Sequence, residues 1–504
     1  MRERQTRSVY MKGHTMEKYL KFFYELASIP HGSGNTAKVA DYLVAFAQKR
    51  GLAVERDSFD NVIIMKPAST SYVNHEPVIL QGHLDMVAVK EADSMKDLLN
   101  EGLDLFTDGD LLGAAGTSLG GDDGIAVAYM MDILDSDYEH PDLICIITAD
   151  EETGMFGANG INLDGIPAKR LINIDNEEEG KFIVGCAGGV DATVTFTPNK
   201  EIGEGIVYEV EVSGLLGGHS GIDIDKQRGN ANKILAEELC KLHDELGINL
   251  IEFNGGSRSN VIPNYAFARI MLTDRKDNSI FEKKIMSLNG SEYYFDDIDS
   301  PDCAVLSVRE SGRSQMIIFD DLSTERFLRF LRDVQNGVKS YVENVSPAQV
   351  RTSSNLGVVK CDDDNAKAEC LVRSSSEDEK NELLYEIFNL AMECDAEGSA
   401  QGDYPGWEYA PNSQLRDTMV KVYINTMKRF EDSMDGEMFK KLCKPETEVI
   451  HAGLECGILS KKISGLDCVS FGPSITDIHT VNERMSLSSA GRMFEFLKEL
   501  LKEL

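Results

Sequence analysis

Basic residues are scarce in this chain: 51 Lys and Arg stand against 85 Asp and Glu, a formal net charge of −34. Phosphate backbones and anionic lipid surfaces are bound through clusters of Lys and Arg. Nucleic acid and membrane are therefore not expected as partners, and small cationic, zwitterionic or metal ligands suit the charge better. Cysteine supplies no framework either. The ten thiols, at positions 145, 186, 240, 303, 361, 370, 394, 443, 456 and 468, are scattered and form no CxxC pair. That distribution is expected of reduced thiols in the cytoplasm. Long apolar runs are missing as well, and no stretch approaches the ~20 residues that span a bilayer. The polar opening MRERQTRSVYMKGHTMEKYL has no apolar core of the signal-peptide kind. Its first ~15 residues are expected to be a disordered extension.

What is present is enough apolar sequence, 42% of 504 residues, to bury more than one core, so two domains are expected. The spacing predicts helices over 17–28 and 36–50, the second closed by Gly51. Strands are predicted at 61–65, 77–81, 143–149 and 171–174, with a helix after Gly124. Such alternation implies an α/β layer structure around a mostly parallel sheet sandwiched by helices. Near residue 190 the pattern changes to apolar/polar alternation, as in ATVTFTP (192–198) and IVYEVEV (206–212), which reads as half-exposed antiparallel strands. The expectation is an inserted α+β lid domain over 191–395, internally duplicated in pattern, with a helix over 324–343. The first domain, which would carry the site, then comprises 1–190 and, after a Gly-rich stretch at 396–407, 396–504.

Acids and imidazoles gather at the predicted element ends. The run LICIITA (143–149) leads straight into Asp150, Glu151 and Glu152. Successive side chains at a strand end point to opposite sides, so one carboxylate can face a metal while its neighbour addresses water. Alone, the triplet reads as a solvated acidic turn before Gly154. The strand at 77–81 ends in Gly82-His83-Leu84-Asp85, where Asp85 can accept a hydrogen bond from the His83 ring. In GTSLGGDDG (116–124) a helix cap explains one of Asp122 and Asp123 but not both. Asp175 follows the strand at 171–174, and His479 lies in a loop before the last helix. Parallel sheets bind ligands at the carboxyl ends of their strands. Many carboxylates with two histidines and no cysteine suit a two-metal site, zinc first, with manganese or cobalt as alternatives.

The segments QGHLDMV, LGGDDGIA, ITADEETG, NIDNEEEG and the late histidine loop resemble the di-zinc amidohydrolases that include carboxypeptidase G, peptidase T and aminoacylase. Within that family the chain is most similar to bacterial aminoacyl-histidine dipeptidases, from SIPHGSGN through GCAGGVDA, GLLGGHSGIDI, RGNANK, YPGW and HAGLECGIL to SFGPSITDIH. The resemblance implies that His83 and Asp175 hold one zinc, Glu152 and His479 the other, and Asp122 bridges both. Asp123 stands where the family often has Asn, and the peptide joining it to Asp122 is typically cis. Glu151 would be the general base acting on a metal-bridging water, with Asp85 orienting His83. From the lid, His219 would stabilise the oxyanion. Asn260 would hold the substrate and Arg373 its terminal carboxylate, with His451 and Glu455 lining the dipeptide pocket and Glu455 meeting the free ammonium. His31 and Tyr404 are further neighbours. The histidines at 14, 75, 140 and 243 fall outside every motif and are expected at the surface.

The implied activity is hydrolysis of unblocked dipeptides, Xaa-His included, by a cytoplasmic enzyme carrying two zinc ions, with a homodimer through the lid domain. A tripeptidase or N-acyl-amino-acid deacylase of the same family is the nearest alternative, and a metal-dependent peptide-binding protein the alternative from another class.

Overall fold

The computed structural model describes residues 16–273, 278–295, 297, 301–343, 347–361 and 364–504, so the expected N-terminal extension and His14 lie outside it. The chain divides into two compact units. The first takes the described residues up to Val184, with Ala410–Glu448 and Ile458–Leu504. Its eight-stranded sheet is centred on four parallel strands, Leu143–Thr148, Val78–His83, Arg170–Asn173 and Asp467–Ser470. Their apolar runs are almost wholly buried, as strands covered on both faces require. Ala53–Arg56 and Val62–Lys66 extend one edge antiparallel. The helix Gly121–Leu134 is buried along its entire length and, apart from Asp122, Asp123 and Asp132, carries no charged residue. Lys18–Ala27 instead buries one stripe, Tyr19, Phe22, Phe23 and Leu26, at helical spacing.

This topology sets the candidate residues side by side. His83 ends its strand in register with Thr148, two residues before the acidic triplet begins, and Asp175 follows Arg170–Asn173 by two residues. A small four-stranded sheet adds the last piece: Ile475–Thr476 pairs with Arg484–Ser486, which pairs with Leu111–Ala114. That hairpin brackets the loop carrying His479, whose φ of 61° is left-handed. The closing helix Leu487–Glu503 is anchored by a buried pair in which Arg492 Nε and Nη2 donate to Glu179 at 2.7 and 2.6 Å.

The second unit takes Gly185–Tyr409 and Val449–Gly457. Its large sheet is antiparallel, and the strand Gly188–Phe196 alternates buried and half-buried residues, as its sequence pattern predicts. Helices Ala231–Leu246, Asp321–Asp333 and Glu377–Glu393 contribute to one core with Phe196, Tyr208, Phe253, Phe327 and Phe330. The two strand-and-helix stretches join where Asn254 and Gly255 pair with Lys360 and Val359, making the sheet continuous.

Three features depart from the sequence reading. The helix expected to reach residue 343 stops at Asp333, because Gly337 adopts a φ of 86° and starts a strand against Val350–Cys361. The Gly-rich stretch at 396–407 holds the strand Glu397–Tyr404, paired with Gly188–Phe196, so the second unit runs on to Tyr409. Residues 397–403 are exposed, which leaves the strand without apolar alternation to betray it. His140 is buried and not at the surface, with Nδ1 2.7 Å from the Pro141 carbonyl; His75 is exposed and His243 half-buried beside Asp321. No helix among the described residues is long and apolar enough to cross a membrane.

Candidate active site

In the first unit Asp122 is the hub. Its Oδ1 lies 3.2 Å from His83 Nε2 and its Oδ2 3.1 Å from His479 Nε2, so one carboxylate faces two imidazoles. Each imidazole also faces a second acid. His83 Nε2 is 3.7 Å from Asp175 Oδ1, and His479 Nε2 is 2.9 Å from Glu152 Oε1. The structure thus brings together all five residues expected to be ligands. Potential ligand atoms of His83, Asp122 and Glu152 lie within 4.8 Å of one another, and so do those of Asp122, Asp175 and Glu177. Glu177 is a carboxylate that sequence reasoning did not single out.

The residues that hold this cluster are equally specific. His83 Nδ1 is 3.0 Å from the Asp85 backbone carbonyl, while the Asp85 carboxylate is 3.6 Å away. Donation from Nδ1 to the carbonyl leaves Nε2 as the nitrogen with a lone pair that could meet a metal. The Asp85 carboxylate also accepts from the Ser33 hydroxyl at 2.8 Å and from the backbone N–H groups of Glu151 and Glu152 at 3.1 and 3.4 Å. Asp85 therefore aims the acidic triplet as well as the imidazole. Asp150, at a φ of 55°, accepts from Gly34 N–H at 2.6 Å and braces the turn. Asp123 accepts from His83 N–H at 3.2 Å, and its peptide bond to Asp122 is cis. His31 is buried nearby, with Met86 N–H donating to its carbonyl at 3.2 Å.

Charge balance tests whether a metal fits. Burial would raise the Asp122 carboxyl, but hydrogen bonds from His479 and His83 outweigh it and hold the group below the usual carboxylate range. Hydrogen bonds to Asp122 and Glu152 raise His479 to about 10. Burial lifts Asp123 well above its ordinary value and Glu177 to about 8, in each case with neighbouring carboxylates adding to the effect. Asp175 and Glu152 are also pushed up by burial. Among the described residues, neither Lys nor Arg is ion-paired with Asp122, Asp123, Asp175 or Glu152. The cluster holds more carboxylate than its two imidazoles neutralise, which is the electrostatic signature of a cation site. The donor set of oxygen and imidazole nitrogen fits divalent metal ions.

A second constellation lies in the other unit. Arg373 is 6% exposed; its Nη1 donates to Tyr404 Oη at 2.9 Å, while its buried Nε has no hydrogen-bond partner. No described carboxylate lies within ion-pair distance of it. His219 accepts at Nδ1 from the N–H groups of Gly221 and Ile222, at 3.2 and 3.3 Å, so its hydrogen resides on Nε2. Burial and the Arg373 charge both lower its pKa, keeping the ring neutral. The same two causes push His451 down to about 3, and its Nε2 is 2.7 Å from Ser353 Oγ. Asn355 donates to the carbonyls of Ser259 and Val261 at 2.7 and 2.8 Å, clamping Asn260 from both sides. Glu455 is fully buried at the start of Glu455–Lys462.

Comparison with known proteins gives the family. The chain is 35% identical to the cytosol non-specific dipeptidase of Escherichia coli over 485 residues, covering 96% of both chains. The chain belongs to the M20 peptidase family. The family model of the peptidase dimerisation domain matches residues 210–293, inside the second unit. The aminoacylhistidine dipeptidase of Vibrio alginolyticus superposes with a TM-score of 0.83 at 31% identity, over 97% of this chain and 96% of that one. Aminopeptidase PepT of Bacillus cereus, at 14% identity and a TM-score of 0.53 over 97% and 98%, shares the fold. The family resemblance expected from the sequence is thereby borne out.

In this M20 peptidase the sequence reading singled out neither Ser33 and Glu177, which lie inside SIPHGSGN and NIDNEEEG, nor Ser353 and Asn355, which lie outside every quoted segment. Ser353 and Asn355 stand inside TSSN (352–355), four consecutive buried polar residues on a strand. Such a run is costly to bury unless every member is bonded, and that was the available clue.

Proposed function

We propose that this M20 peptidase is a cytoplasmic dipeptidase with two divalent ions per chain, zinc first and manganese or cobalt as alternatives, hydrolysing unblocked dipeptides that include Xaa-His. The observation that carries the reading is the Asp122 carboxylate set between two imidazoles, each facing a second acid. His83 and Asp175 would hold one ion, Glu152 and His479 the other, and Asp122 both. Such ions supply Lewis acidity, which acidifies water and polarises the scissile carbonyl.

The chain's own groups do the rest. Glu151, whose backbone is held by Asp85 beside Glu152, takes a proton from the attacking water and returns it to the departing amine. His219 donates from Nε2 to the oxyanion of the tetrahedral intermediate, which needs a hydrogen on that nitrogen, where the contacts at Nδ1 leave it. Arg373, already oriented by Tyr404, meets the substrate's terminal carboxylate. Asn260 and His451 complete the contacts, and Glu455 is the counter-charge proposed for the free ammonium. The dimerisation-domain match supports a homodimer through the second unit, and the names of the two relatives above 30% identity support the substrate class.

A panel of free dipeptides, tripeptides and N-acetylated amino acids, incubated with the metal-loaded protein and read by released amino acid, tests this. Free dipeptides are expected to be cleaved and the other classes spared. Preference for acetylated substrates would sink the dipeptidase reading, and no turnover of any class would favour a peptide-binding protein.

A further inference from the structure

Glu483 belongs to none of the roles assigned above, yet it is 2% exposed and both its oxygens are engaged across some 360 residues of chain. Oε2 accepts from the backbone N–H groups of Leu119 and Gly120 at 2.8 and 3.1 Å. Oε1 accepts from Gly121 N–H at 2.8 Å and lies 3.5 Å from that of Asp122. These groups enter the helix Gly121–Leu134, where N–H groups have no partner within the helix and a negative charge is favoured. The helix has no side-chain cap of its own: its N-cap is Gly120, at a φ of 67°. Space enforces the arrangement. A Cβ on Gly121 would stand 3.2 Å from Glu483 Oε1, and one on Gly120 would strike Met86 Sδ at 2.7 Å. Gly121 thus leaves room for the Glu483 carboxylate, and Gly120 for the Met86 side chain.

The other end of the tie is what gives it meaning. Glu483 closes the loop that carries His479, its N–H donating to the Thr480 carbonyl at 3.3 Å, and Arg484 begins the strand that fixes that loop to Leu111–Ala114. One side chain thus fastens the backbone under Asp122 to the loop presenting His479, whose side chains meet at 3.1 Å. We propose that Glu483 is a positioning residue of the metal centre, setting the distance between the Asp122 carboxylate and the His479 imidazole. The proposal rests on the two-metal reading above. A ligand pair brought from positions so far apart in sequence needs a rigid link between its carriers, and removal of such outer partners weakens metal affinity by ~10–100-fold in other sites.

The test separates positioning from helix capping. Zn2+ affinity is measured by chelator competition on the full chain for wild type, E483Q, E483D and D320N, alongside kcat, KM and thermal stability. Gln keeps the shape but offers one acceptor oxygen where two are used. E483Q is expected to bind Zn2+ ~10–100-fold more weakly and to lose kcat with KM unchanged, with E483D between it and wild type. D320N keeps the acceptor oxygen that caps Asp321–Asp333 at 2.7 Å and removes only the negative charge from that helix N-terminus; it is expected to lose a little thermal stability and keep wild-type Zn2+ affinity. An E483Q that behaves as D320N does, losing stability alone, overturns the proposal. Should E483Q fail to fold, E483D is judged by the same criteria. A wild-type chain that bound no Zn2+ would overturn the two-metal reading and the role of Glu483 with it, whereas two ions on wild type held equally tightly by E483Q overturn Glu483 alone.

Discussion

Glu151→Gln is expected to cut dipeptide hydrolysis by ~10²–10⁴-fold while leaving the metal content at two ions per chain. The loss is that of a positioned general base, about 3–5 kcal/mol of barrier. Metal content is retained because the ions are proposed to be held by His83, Asp122, Glu152, Asp175 and His479, whose mutual contacts do not involve the substituted amide. The Glu151 N–H bond to Asp85 Oδ1 at 3.1 Å is a backbone contact and survives the substitution. Paired measurement of kcat and of zinc by atomic absorption checks both halves. Activity near wild type would move the base elsewhere, and loss of metal together with activity would make Glu151 a ligand.

Asp122→Asn should have the second large effect, through a different route. Asp122 contacts His83 and His479 together, so its charge contributes to both halves of the cluster. An amide of the same shape keeps the packing but removes the shared negative charge, and its NH2 group opposes one of the two sites. Affinity for both ions is expected to fall beyond the ~100-fold that outer-shell substitutions reach, with hydrolysis falling in parallel. Calorimetric titration with Zn2+ distinguishes this from Glu151→Gln: the base variant binds and does not turn over, whereas Asp122→Asn does not bind. Two equivalents bound at wild-type affinity would remove Asp122 from the centre of the site.

Which parts of this were legible in the sequence follows from what each part must bury. The parallel strands had to be apolar on both faces, so LICIIT and its neighbours were visible as runs, and the acids placed behind them were conspicuous against that background. The strand Glu397–Tyr404 is exposed along most of its length and gave no such contrast. The residues proposed as ligands carried motifs because metal chemistry restricts residue type. Residues that serve through hydrogen bonds to distant backbone groups, such as Asn355 beside Asn260 or Glu483 beneath Gly120, leave only a single polar letter, and their partners are fixed by the fold. Asp85 lies between these cases. Its spacing from His83 was readable, but its hold on Glu151 and Glu152 depends on how two strand ends meet. His140 shows the converse error: a histidine outside every motif was expected at the surface, and burial with its Nδ1 beside a local carbonyl proved sufficient to satisfy it.

Stepwise metal restoration tests the central claim most directly. The chain is stripped with a chelator, given Zn2+ in measured increments, and assayed at each increment on a free Xaa-His dipeptide. The predicted curve starts at no turnover and reaches its plateau at two ions per chain. Full hydrolysis by the stripped protein would contradict the account.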